Sequence, residues 1–218
     1  PGKLPTEFPF FTGMSLSEQR STAEAVARER ESLRRIGIGS DMKRQSNFFF
    51  HLTKSPGCLS QPDRQRIDDS LKDLADKNPD RTGWTMINLM DEPGFGFDHV
   101  KSCPACQQGF APYLKRLGLA DSEIATLKIN DDPEGANADE KASYYYTRRY
   151  MNHLMTEMHR AGTESVQTHL PGIPTTANFA CELLEGNLVS RCVDWYEIYG
   201  TGALTFGWNE DWGGWART

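Results

Sequence analysis

The segment Gly83-Trp-Thr-Met-Ile-Asn-Leu-Met90 is a nearly continuous apolar run that stops abruptly at Asp91-Glu92-Pro93-Gly94. So short a run, apolar toward both sides, suits a parallel strand covered on both faces by helices. Other segments follow the same plan. Asn47-Phe-Phe-Phe-His-Leu-Thr53 reads as a buried strand, as do Ile173-Pro-Thr-Thr-Ala-Asn-Phe179 and Leu204-Thr-Phe-Gly-Trp208. Val193 to Tyr199 suits a helix or a strand. Polar groups gather where these runs end: His51 and Thr53, Asp91 and Glu92, Asn178, and then Asn209, Glu210 and Asp211.

Helical patterns alternate with the runs. Ser21-Thr-Ala-Glu24 has the form of a capping box and opens a helix carrying Val26, Leu33 and Ile36 that stops at Gly37 and Gly39. Pro62 suits a first helical turn, after which Ile67, Leu71 and Leu74 form one apolar stripe ending at Asn78-Pro79. Phe110, Leu114 and Leu117 mark a helix closed by Gly118. A polar loop from Asn130 to Asp139 leads to a long helix with Tyr146, Tyr150, Leu154 and Met158 on one face, ending at Gly162.

Repeated strand-loop-helix units imply a parallel sheet and an α/β chain of the (β/α)8 barrel type, whose strands all point their C-terminal ends at one face. At 218 residues the chain is short of the roughly 250 typical of a complete barrel. Four or five strands are visible in the pattern, not eight. The expectation is one barrel domain over residues 1–218, with terminal strands missing from the pattern.

Thirty acidic against 24 basic residues give a net charge of -6 with no basic block, which argues against a nucleic-acid partner. No apolar run approaches the roughly 20 residues of a membrane helix, and the opening Pro-Gly-Lys-Leu-Pro lacks the apolar region of a signal peptide. The expectation is a soluble chain, cytoplasmic or exported after removal of a signal. Cysteines stand at 58, 103, 106, 181 and 192 in a domain too large to need disulfides, so a reduced or metal-binding framework is favoured.

Strand ends are where barrel enzymes react, and a carboxylate beside Met90 and Phe95 is placed for proton transfer. Glu92 fits a general acid, given a second carboxyl group across the bond it acts on. The plainer reading is that Asp91 and Glu92 cap the turn or the next helix. Trp208, Trp212 and Trp215 crowd one stretch with Asn209, Glu210 and Asp211. Aromatic rings interleaved with polar groups suit the apolar faces and hydroxyls of sugars, although a core or a lid also uses tryptophan.

The order Trp84-Thr-Met-Ile-Asn-Leu-Met-Asp-Glu92, Cys103-Pro-Ala-Cys106, Phe110-Ala-Pro-Tyr-Leu-Lys115, Thr175-Thr-Ala-Asn-Phe179 and Leu204-Thr-Phe-Gly-Trp208 resembles glycoside hydrolase family 42, the β-galactosidase-type barrels of clan A. The resemblance runs from about His51 to Trp212. It implies Glu92 as acid/base, with Asp91, Asn178, Trp208, Asp211 and Trp212 contacting substrate. Asp91 stands where the family carries an Asn. The family's nucleophile is a glutamate one strand beyond the Leu204 segment; Glu210 is the catalytic candidate in this chain, with a substrate-binding role as its alternative.

The resemblance also implies a structural zinc held by Cys58, Cys103 and Cys106, with His99 as the nearest fourth donor; free thiols or a Cys pair are the alternative. It further implies an oligo- or polysaccharide substrate and a homo-oligomer. A non-catalytic carbohydrate-binding or structural barrel is the rival function. A metal-assisted hydrolase finds no His-Glu-x-x-His to support it.

Overall fold

The computed structural model describes residues 10–11, 22–35, 38–39, 62–81, 84, 86–134, 137–179 and 191–207. The chain divides into two compact units, Pro1–Asn47 with Arg81–Trp84, and Phe48–Asp80 with Thr85–Thr218. The 47–53 strand expectation lies outside the described residues.

In the first unit, β1 (Phe10–Phe11) and β2 (Ile38–Gly39) pair in parallel, with α1 (Ala23–Arg35) between them in sequence. The cap falls one residue later than the Ser21 box suggests. Thr22 Oγ1 accepts the Ala25 N–H at 3.2 Å, which satisfies one of the orphan donors of the first turn. Val26 is buried, as its stripe predicts.

The second unit runs α2 (Arg64–Lys77), β3 (Ile87–Asp91), α3 (Phe97–Ser102), α4 (Pro104–Arg116), α5 (Asp121–Ile124), α6 (Ala138–His169), β4 (Thr175–Asn178) and α7 (Trp195–Gly200). Asp63, not Pro62, opens α2, its carboxylate accepting the Arg66 N–H at 3.0 Å. Gly118 closes α4 at φ 88°, a conformation that glycine adopts without a Cβ penalty. The 193–199 stretch becomes helix from Trp195 onward, where Asp194 caps α7 by accepting the Glu197 N–H at 3.1 Å.

β3 and β4 pair in parallel, matching Ile87 with Thr175, Asn88 with Thr176 and Asp91 with Asn178, with a register irregularity between the last two pairs. Their core positions Ile87, Leu89, Met90 and Ala177 are buried, as are Met151, Met155 and Val166 of α6. α6 is 32 residues long and passes through Gly162, where the sequence pattern predicts a stop. Its buried Ser143 and Thr147 hydroxyls accept the Lys128 and Asn130 N–H groups at 3.1 and 2.9 Å. Those bonds tie the preceding loop along the helix.

α2 packs on α6. Asp68 accepts from His169 Nε2 at 2.8 Å and from Ser165 Oγ at 2.9 Å, and these hydrogen bonds hold its carboxyl below the usual range. α4 meets α6 where the Tyr150 hydroxyl donates to Cys106 O at 2.8 Å. A Cβ at Gly109 would run into that hydroxyl, so the bond requires glycine there.

Among the described residues the molecule is a mixed α/β chain, mostly helix, with two short pairs of parallel strands and no complete barrel. The expected 204–208 strand is a series of bends as far as it is described. Its Thr205 and Phe206 N–H groups both converge on Thr175 O, at 3.1 and 2.9 Å, and Thr205 Oγ1 accepts the Thr175 N–H at 2.9 Å. Two donors on one carbonyl bring the segment beside β4 without building a ladder. No described helix is long and apolar enough to cross a membrane.

Candidate functional site

The site is built on the C-terminal end of β3. Residues 87–90 are buried and Asp91 is exposed, so the strand passes from core to surface within one residue. Glu92 follows with φ 43°, a left-handed backbone that costs a residue with a Cβ about 1–2 kcal/mol. Its N–H donates to Asn178 O at 2.7 Å, which compensates part of that cost and fixes the turn. Such strain at a strand end is what functional positions tend to hold.

Asn178 joins the two strands at this edge. Its Nδ2 donates to Asp91 Oδ1 at 2.8 Å, and its backbone N–H donates to Asn88 Oδ1 at 3.1 Å. Asp91, Glu92 and Asn178, widely separated in sequence, therefore occupy one surface. On the far side, Arg191 Nη1 lies 3.8 Å from Glu92 Oε2 and 3.5 Å from Glu92 O. Gly94 lets Arg191 approach, since a Cβ there would meet the Arg191 Cβ at 3.2 Å.

Cys192 completes the brace. Its φ of 60° makes it, with Glu92, one of two left-handed non-glycine residues among those described, and its Sγ donates to Phe95 O at 3.5 Å. Burial pushes its thiol up to about 12, so it is an inert structural group. Cys192 is buried and forms no disulfide; Cys181 lies outside the described residues.

Sequence reasoning missed Asn88, Arg191 and Cys192 at this edge. Asn88 carried a signal, as the lone amide within an apolar run. Arg191 carried none. Trp208, Glu210, Asp211 and Trp212 lie outside the described residues, and so does Cys58.

A second cluster follows directly. Cys103 lies between α3 and α4, its N–H bonded to His99 O at 3.0 Å, and Cys106 is one turn into α4. The donor atoms of His99, Cys103 and Cys106 all lie within 4.8 Å of one another. Two thiolates on a tetrahedral zinc stand about 3.8 Å apart, given Zn–S bonds of about 2.3 Å. Small side-chain rotations therefore suffice, and neither Cys103 nor Cys106 forms a disulfide. The donor set suits zinc in type and spacing. Phe95, which accepts from Cys192, also meets the His99 ring edge-on at 6.2 Å, so the loop after Glu92 connects both clusters.

No protein-family model and no curated protein matches the chain. Several solved structures do, among them two β-galactosidases. One is Gan42B, a GH42 β-galactosidase from G. stearothermophilus, with a TM-score of 0.51 at 15% identity over 85% of this chain and 32% of that one. The other is the cold-adapted β-galactosidase from Rahnella sp. R3, with a TM-score of 0.51 at 17% identity over 87% of this chain and 31% of that one. At such identities the likeness is one of fold. The chain spans about a third of the length of these structures and resembles that part of their fold.

Proposed function

We propose that the chain is a retaining, β-galactosidase-like glycoside hydrolase of the (β/α)8 barrel type, acting on an oligo- or polysaccharide with Glu92 as general acid/base. The observation that carries this reading is the left-handed Glu92 at the end of a buried parallel strand, with Asp91 and Asn178 hydrogen-bonded beside it. Glu92 first protonates the leaving oxygen, while a second glutamate forms the glycosyl-enzyme. It then takes a proton from the water that releases the sugar. Glu210 is the candidate for the second glutamate, and Trp208, Asp211 and Trp212 for the sugar-facing rim.

Asp91 and Asn178 bind substrate in this reading. Because Asn178 Nδ2 already donates to Asp91, Asp91 keeps its second oxygen for a sugar hydroxyl. Turnover of a panel of nitrophenyl glycosides, with the product anomer followed by NMR, tests the proposal: retention is expected, and no release from any β-glycoside overturns it. The Asp91 carboxylate, standing where the resemblance implies an amide, favours one rival, a sugar-binding barrel without turnover. That rival predicts binding with no release.

His99, Cys103 and Cys106, with Cys58, would hold a structural zinc that pins the loop after Glu92 to α4. Protein purified without chelator is expected to carry about one zinc per chain by elemental analysis. Replacing Cys106 with Ser should lower that content several-fold and reduce thermal stability. Stoichiometric zinc absent from the wild-type chain sinks the site.

A further inference from the structure

Away from β3, a cleft of about 630 Å³ opens between α2, α4 and α6. Its apolar lining includes Pro62 and Pro112, over the buried Leu154 and Tyr150, and its polar groups include Arg64, Arg116, His153 and Glu157. The charges are unequally matched. Arg64 is paired with Glu164, and Glu157 accepts from Arg160 Nε at 3.0 Å, with Arg160 further anchored on Thr201. Arg116 meets no carboxylate among the described residues.

What Arg116 does meet is an imidazole. Its Nη2 lies 3.0 Å from His153 Nε2, and its guanidinium sits 5.9 Å from the Tyr113 ring centroid. A guanidinium only donates, so His153 Nε2 accepts, and the ring proton is on Nδ1, donating to Glu197 Oε1 at 2.7 Å. Tyr113 stacks on the same ring at 5.0 Å and 23°, locking its orientation. Glu197 is thus spent on a neutral histidine, and four of the five Arg116 N–H donors have no partner in this arrangement.

The geometry points to a binding site for a small phosphomonoester in this cleft, with Arg116 as the principal phosphoryl contact and Arg64 in support. An unmatched guanidinium on a rigid aromatic-imidazole platform presents the planar fork that phosphate oxygens fit. The rings of Pro62 and Pro112 take an organic body beside the phosphoryl group, and the volume lies within the range of small-molecule pockets. A nucleic-acid strand, which needs a run of basic groups along its phosphates, is disfavoured by the net charge of -6 and the lack of a basic block in the sequence.

The test is calorimetric titration of the whole chain with phenyl phosphate and with inorganic phosphate at fixed ionic strength. Phenyl phosphate is expected to saturate one site and to bind more tightly than inorganic phosphate. Arg116→Gln should weaken it about tenfold to a hundredfold, as expected for loss of charge-assisted hydrogen bonds. Arg64→Gln should weaken it less, which provides a second readout if the first variant melts early. Lys141→Gln removes an equal charge near the N-terminal end of α6, outside the cleft lining, and should leave binding within about twofold. No saturation up to about 10 mM, equal binding of both phosphates, or equal losses in the Arg116 and Lys141 variants would each overturn the site.

Discussion

Replacing Glu92 with Gln is expected to lower turnover of an unactivated β-glycoside by about a hundredfold to ten-thousandfold, the usual worth of a positioned acid/base. The amide keeps the shape of the side chain and a weak contact with Arg191, so folding should survive; the left-handed backbone is held by Asn178 O, which does not involve the side chain. The loss should depend on the leaving group. A dinitrophenyl glycoside needs no protonation to depart, so its first step should proceed nearly normally and its second step stall for want of a base. Added azide, a nucleophile that needs no deprotonation, should restore release of the second product. A variant with wild-type turnover on the unactivated substrate removes Glu92 from the chemistry.

The second large effect concerns stability in acid. His159 is fully buried on α6, where its Nδ1–H donates to Met155 O at 2.8 Å and its ring lies 6.1 Å from that of Phe179. Burial penalises the charged imidazolium and pushes the group down from 6.5 to about 4. The unfolded chain therefore binds a proton through the window between those values that the folded chain refuses. Stability is fully present above about pH 6.5 and falls as pH drops toward 4, by roughly 3 kcal/mol in all.

Urea unfolding at pH 7, 5.5 and 4.5 reads that slope, and His159→Gln should flatten it. An unchanged slope in the variant would assign the acid sensitivity elsewhere. Asp68 does not imitate the effect, because its lowered carboxyl loses its contribution only as pH falls below the ordinary range of an aspartate.

The sequence pattern located β3, β4, α4 and α6 because each announces itself through periodicity or a terminating glycine. Where it failed, a tertiary partner outweighed a local signal. Gly162 reads as a helix stop, yet Val166 and Leu170 continue the buried face of α6 and carry the chain on to His169. Ser143, Thr147 and Thr163 carry no apolar signal. They are buried because Lys128, Asn130 and Ala203 supply their hydrogen bonds from elsewhere in the chain.

The candidate site divides in the same way. Asp91, Glu92 and Asn178 were visible as polar residues ending apolar runs. The left-handed turn of Glu92 was not, since glycine is the residue that normally marks such a backbone. Neither was Arg191, whose approach depends on Gly94. The grouping of His99 with Cys103 and Cys106 was implied by the resemblance, and the break between α3 and α4 brings the three together.

The pairing of Asp91 with Asn178 joins residues 87 positions apart. Closing a flexible loop of that size costs about 4 kcal/mol before any strand contact repays it. The 32-residue α6 lies inside the loop and spans about 48 Å as a rod. Once it forms and doubles back on α4, few free residues remain between the two strand ends. Helices then precede the sheet in the physical order of folding, and the edge that carries Glu92 is among the last parts of the molecule to take shape.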